Sequence, residues 1–129
     1  MWPRIDGLRT LALGTPGEQR ARLNALVLAG TKTATAGLLS EYAAEGEELE
    51  QPGERLALID DADAAVGTIE ILDVRVLALQ DVPWEFAAAE GEGDDSIEQW
   101  RAGHLAYWAR LGEHVTSDTD IVCITFRLL

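Results

Sequence analysis

Apolar residues recur at two periods along this chain, and the change between them marks where helices give way to strands. Leu23, Leu26 and Val27 stand at helical spacing. Ahead of them, Thr15-Pro16-Gly17-Glu18 reads as a helix start, with Thr15 as N-cap, Pro16 at the first helical position and Glu18 completing a capping box, and Gly30 is placed to end the helix. Thr33 reads as the cap of a second, short helix through Ala34, Leu38 and Leu39 to Tyr42, which puts Lys32 and Thr35 at its N-terminal turn. After the acidic stretch Glu45 to Glu50, Pro52-Gly53 signals a turn and the period falls to two. Arg55 to Asp60 is expected to be a strand, Asp60 to Ala64 a hairpin loop, and Val66 to Leu79 the return strand. The return strand changes phase: Ile69 and Ile71 are odd, whereas Leu72, Val74 and Val76 are even. A β-bulge near Ile71-Leu72 would restore one buried face.

Asp81-Val82-Pro83-Trp84-Glu85 then opens a short helix by cap-then-proline logic. Asp95-Ser96-Ile97-Glu98 opens a longer one, whose apolar stripe is Ile97, Trp100, His104, Leu105, Trp108 and Leu111. Asp120 to Leu129 closes the chain as a strand with Val122, Ile124, Phe126 and Leu128 on one face. Strands interrupted by helices, without regular βαβ alternation, predict an α+β fold: a small curved sheet or barrel flanked by helices.

Composition narrows the setting. At 129 residues, 47% hydrophobic and 26% charged, the chain is expected to form one domain over residues 1–129 with a core of its own. The longest strongly apolar run, Ala25 to Ala29, is too short to span a membrane, and Met1 to Asp6 has no signal-peptide pattern. The lone Cys123 forms no internal disulfide; a cytoplasmic protein is the expectation. Against 10 bases stand 23 acids, a net charge of -13, which repels phosphate backbones and argues against tight binding of duplex DNA. A nucleoside or a short single strand in a local pocket remains permitted. All bases but one are arginine, so Lys32, the only lysine, stands out.

Three segments carry candidate chemistry. Gly30-Thr31-Lys32-Thr33-Ala34-Thr35 gathers a lysine and three hydroxyls at a predicted helix N-terminus, a place that favours an anion or a developing oxyanion. It is not a P-loop, because Thr31 and Leu26 stand where that loop needs glycines. The plain alternative is an exposed lysine beside capping threonines. Glu70 sits mid-strand, opposite Ile69 and Ile71, where a glutamate is disfavoured unless its face is wet or its carboxylate paired. Beside a lysine it would be a general acid or base. Glu90-Gly91-Glu92-Gly93-Asp94-Asp95 packs four acids and two glycines before a helix. It fails as an EF-hand, since Asp95 stands at the glycine position and Arg101 at the bidentate glutamate position. Favourable acids at a helix N-terminus explain part of it; loose coordination of Mg2+ or Mn2+ by Glu92 and Asp94 is the other reading. No other cofactor is expected. Trp100 and Trp108 suit a core stripe with His104 buried beside them, while one aromatic could instead stack on a base. No Ser-His-Asp set, Cys-His pair or zinc spacing is present.

Gly30-x-Lys32-x-x-Thr35, the later strand with Glu70, and Glu90-Gly91-Glu92-Gly93-Asp94-x-Ser96-x-x-x-Trp100-x-x-x-His104 together resemble the ASCH domain family, from Leu26 to Phe126. The resemblance implies a PUA-like β-barrel with flanking helices and a cleft for RNA or a nucleotide. Three functions follow from it. In an amidohydrolase of N4-acetylcytidine, the family's lysine, threonine and glutamate roles map onto Lys32 as base, Thr35 as nucleophile and Glu70 as donor to the leaving amine. In a non-catalytic RNA-binding module, Lys32 pairs with phosphate, Trp84 or Trp100 stacks a base, and Gly30, Thr33, Glu90, Glu92, Asp94 and His104 line the cleft. In a metal-dependent ribonuclease, Lys32 and Ser96 flank the scissile phosphate beside a divalent ion at Glu92 and Asp94. Recognition of RNA, a nucleotide or a modified nucleoside is common to all three; the -13 charge sits poorly with long RNA.

Overall fold

Alternating stretches become strands and the helical stripes become helices in the computed structural model, which describes residues 1–129. In chain order the elements are β1 (Arg4–Ile5), β2 (Leu8–Leu11), α1 (Glu18–Leu28), β3 (Ala34–Leu38), α2 (Leu39–Glu45), β4 (Arg55–Ile59), β5 (Ala65–Ala78), a 3-10 turn (Leu79–Asp81), α3 (Trp84–Ala89), α4 (Ile97–Arg110) and β6 (Asp120–Leu128). The strands form one open, mixed, six-stranded sheet in the order β1-β2-β4-β5-β6-β3. Every neighbouring pair is antiparallel except β2 and β4. This is the expected α+β architecture. No helix is long and apolar enough to cross a membrane.

Both faces of the sheet are covered, and β6 shows why. Val122, Ile124 and Phe126 enter one core with Leu23 and Val27 of α1, Leu56, Leu58, Ile69 and Ile71. Ile121 and Cys123, on the other face, enter a second core with Leu38, Phe86, Trp100 and Trp108. The single apolar face expected of this strand is therefore corrected: β6 is buried on both sides, as a central strand between two helical layers must be. Leu128, at its end, is exposed.

The phase change in β5 is a bulge. Its pairing with β6 slips between Ile71 and Asp73, so Leu72 is 51% exposed while Ile71 is buried. The extra residue turns Val74 back toward the first core, although Val76 stays outside. The Asp60–Ala64 loop closes as expected, with Asp60 Oδ1 accepting from the Ala62 and Ala64 amides.

Two helix starts differ from expectation. Helix α1 begins at Glu18 behind Gly17, whose φ of 102° suits only glycine, and Thr15 bonds Gln19 rather than capping the helix. More consequentially, Ala34–Leu38 is a strand, not the first turn of a helix. Ala34, Ala36 and Leu38 alternate into the second core, and β6 offers five antiparallel partners, a bonding set that one short helical turn cannot match. The helix starts only at Leu39. Lys32 and Thr35 thus flank and occupy an edge strand, and no helix N-terminus faces an anion there.

The bulge yields a test. Ile71→Ala is expected to cost about 2–4 kcal/mol in urea unfolding, as a buried large-to-small change, and Leu72→Ala less than about 0.5 kcal/mol. Equal losses at the two positions would contradict the slipped register.

Candidate functional site

Lys32 follows the Gly30 turn that ends α1, and the chain then enters β3, so its side chain is carried inward beneath the sheet edge. It is 2% exposed. Its ammonium reaches the Ala34 carbonyl oxygen at 2.7 Å, Glu90 Oε2 at 2.9 Å and Glu92 Oε2 at 2.7 Å. All three ammonium hydrogens therefore have acceptors, which is what a buried cation needs to offset its lost hydration.

Glu90 ends α3, also at 2% exposure. Its second oxygen accepts from Trp100 Nε1 at 2.7 Å and lies 3.0 Å from His104 Nε2. His104 Nδ1 in turn meets the Trp100 carbonyl oxygen at 2.9 Å. With one ring nitrogen on a carbonyl and the other on a carboxylate, the imidazole carries both protons. Its ring stacks on Trp100 at 4.1 Å between centroids. Burial pushes Glu90 upward, but Lys32 and His104 outweigh it and hold the carboxyl at about 2. Burial alone would lower His104, yet its bond to Glu90 and that residue's charge leave it raised. Glu92 is raised, first by burial and then by the charge of Glu90, against the pull of Lys32.

Gly91 makes this convergence feasible. Its φ is +65°, and a Cβ there would stand 2.2 Å from the Thr31 carbonyl oxygen. Only glycine lets the acidic loop pass so near the Lys32 backbone. Thr33 strengthens the same seam, its amide and hydroxyl both donating to the Ala89 carbonyl oxygen.

These groups form part of the wall of a cleft of about 470 Å3, which Thr35 and Asp94 also line. Six carboxylates (Glu41, Glu50, Asp63, Glu90, Glu92 and Asp94) face it against Lys32, Arg22, Arg110 and the His104 imidazolium. Glu70 does not join them. It faces away on β5 and pairs with Arg127 of β6 at 2.8 Å, so the expected meeting of Lys32, Thr35 and Glu70 is corrected: the carboxylates beside Lys32 are Glu90 and Glu92. Ser96 caps α4, its Oγ accepting from the Gln99 amide, outside the cleft. Trp84 is exposed but elsewhere, and Trp100 is fully buried, so neither offers a ring to a base in this cleft. Gly30 and Thr33 lie outside its wall as well. Burial pushes the Cys123 thiol up to about 12, which removes it as a nucleophile. The donor set does not suit a divalent ion: Glu92 is engaged by an ammonium, and no three His, Cys, Asp or Glu side chains gather to hold a metal. Sequence reasoning missed Trp2, Tyr42 and Glu50, which meet in the same cleft with no motif or spacing to link them.

The ASCH domain model matches residues 10–129, and the chain belongs to the ASCH domain family. Protein EF3133 from Enterococcus faecalis V583 superimposes with a TM-score of 0.80 at 27% identity, over 92% of this chain and 74% of the other. The ASCH domain from Lactobacillus crispatus JV V101 gives 0.79 at 27%, over 92% and 77%. ZmASCH from Zymomonas mobilis, at 11% identity and a TM-score of 0.55 over 83% and 63%, shares the fold alone. The fold is thus the PUA-like one. No curated protein matches the sequence.

The buried network sets two expectations. Lys32→Met should cost about 3–5 kcal/mol in urea unfolding, because it removes the buried cation that balances Glu90 and Glu92, and Lys32→Met/Glu90→Gln should recover part of that loss. His104 is held above its usual pKa of about 6.5 in the fold, so its contribution is complete below that pH and is lost as pH rises through the folded value. Stability should accordingly fall on going upward from pH ~6.5, and His104→Gln should flatten that part of the curve.

Proposed function

We propose that the chain recognises a neutral, nucleoside-sized ligand in the cleft around Lys32. One observation carries the reading: a cleft of about 470 Å3, within the usual size of small-molecule sites, presents six carboxylates against four basic side chains, two of which, Lys32 and His104, are already paired with Glu90. Such a wall disfavours phosphate. Lys32 does not offset this, because its three hydrogens already point at protein acceptors. Long RNA is further opposed by the net charge of -13. An uncharged modified nucleoside meets no such penalty.

A second reading, hydrolysis of an N4-acetylcytidine-type amide, is favoured by the placement of Thr35 and the partly exposed Glu92 on the wall that Lys32 underlies. Lys32, with its three hydrogens engaged by protein acceptors, acts here as a positioning and charge-balancing group. Glu92, with its raised pKa, takes the base role in place of Lys32, and the acid role in place of Glu70. Thr35 Oγ bonds to the acyl carbon as its proton passes to Glu92. Collapse breaks the C–N bond and returns that proton to the leaving amine, and water then cleaves the Thr35 ester to acetate and free hydroxyl.

Isothermal titration and acetate release test both readings. N4-acetylcytidine should bind at least about tenfold more tightly than its 5′-monophosphate or a short RNA, since like-charge juxtaposition is costly. Thr35→Ala and Glu92→Gln should each abolish acetate release, and the double variant should lose little more, as expected for members of one catalytic unit. Binding of RNA in preference to the nucleoside would overturn the first reading; turnover in Thr35→Ala would overturn the second.

A further inference from the structure

A second buried polar group, separate from the Lys32 hydrogen-bond network, lines the cleft. Glu50 is 3% exposed, and its only side-chain hydrogen bond comes from the Tyr42 hydroxyl to Oε1, at 2.8 Å. Its other oxygen lies 3.8 Å from Arg9 Nη1, an ion-pair distance too long for a hydrogen bond. Burial leaves this carboxyl raised, against the opposing Tyr42 bond. A buried carboxylate with one strong side-chain donor retains unused acceptor sites, and Glu50 lines the cleft. Trp2 also lines the cleft, with its ring edge-on to Tyr42 at 4.9 Å between centroids. The phenol is thereby fixed from one side by an aromatic wall and from the other by the carboxylate it holds.

The residues that line the cleft come from both ends of the strand order. Thr35 lies on β3, one edge of the sheet, whereas Thr10 and Leu11, which share the cleft, lie on β2, near the opposite edge. Glu50 belongs to the β2 side through Arg9. Tyr42, on the helix α2 that follows β3, joins Glu50 in lining the cleft that Lys32 and Glu92 also line. In an N4-acylated cytidine the acyl nitrogen and the ring nitrogen that bears the sugar stand on opposite sides of the pyrimidine. With its amide at Thr35 and Glu92, such a ligand turns its ribose away from that pair, and Glu50 is the buried carboxylate with spare acceptor capacity on the rest of the cleft wall.

We propose that Trp2, Tyr42 and Glu50 form a ribose subsite, in which Glu50 accepts hydrogen bonds from the vicinal sugar hydroxyls and Tyr42 fixes the carboxylate that receives them. The inference rests on the nucleoside reading above. Its chemistry is that of acidic residues that take ribose hydroxyls in dinucleotide sites, here from a carboxylate oriented by a phenol. The neutral hydroxyl is a donor that this acidic wall can accommodate, whereas a phosphate is not.

Titration of N4-acetylcytidine, its 2′-deoxy counterpart and the free base N4-acetylcytosine into the full chain tests the subsite, in a Thr35→Ala background that blocks turnover. The ribonucleoside should bind about tenfold more tightly than the deoxynucleoside, equivalent to ~1.4 kcal/mol. Glu50→Leu should bring that ratio close to one, and Tyr42→Phe should reduce it; neither should change the affinity for N4-acetylcytosine. Tyr42→Phe keeps the packed ring, so its ratio decides the matter if Glu50→Leu does not fold. If the free base binds but the two nucleosides bind alike, or if both variants keep the parent ratio, the subsite is refuted and the nucleoside reading stands. If none of the three ligands binds, the nucleoside reading fails and the subsite falls with it.

Discussion

The ammonium of Lys32 is the constraint on which the site depends. A lysine removed from water needs three acceptors and compensating charge, and the Ala34 carbonyl of the strand that follows it supplies only the first acceptor. The other two come from Glu90 and Glu92, some sixty residues later in the chain. That demand draws the loop between α3 and α4 against the entry to β3, and Gly91 is the residue that permits the approach. Glu90 then needs donors of its own and finds them in Trp100 and His104 of α4. One buried charge thus fixes how three separate elements meet.

The same arrangement determines what the cleft can accept. A lysine following a helix-ending glycine and surrounded by threonines has the composition of an anion cradle. Its charge is spent internally, and the open wall is dominated by carboxylates. The distinction is one of accounting for hydrogens rather than of residue type: an ammonium with three protein acceptors has none left for a phosphate. Glu92, with its side chain 19% exposed, is the member of the network that stands between the buried charge and the ligand space.

Much of the architecture was legible in the chain because burial writes a period into sequence. The bulge in β5 appeared as a change from odd to even apolar positions, and the Trp100–Trp108 stripe of α4 appeared at helical spacing, although the cap of that helix is Ser96 and not Asp95. Where the local pattern was short, it misled. Ala34–Leu38 is compatible with a helical turn or a strand, and only the unpaired edge of β6 decides for the strand. Leu105 and Leu111 extend the α4 stripe in sequence but are exposed.

Lys32, Thr35 and the acidic-glycine loop were marked as chemistry by residue type and spacing alone, and the α+β class by the order of strands and helices. Which carboxylate serves the lysine could not be read in that way. Glu70 and Glu90 are both plausible partners in sequence, since nothing local tells one strand face from another element's end. Tertiary structure turns Glu70 toward Arg127 and seals Glu90 against Lys32. The reason is that ion pairing depends on distance in space and on shared exclusion from water. Residues nearly sixty positions apart acquire both only when the sheet and its helices close around them.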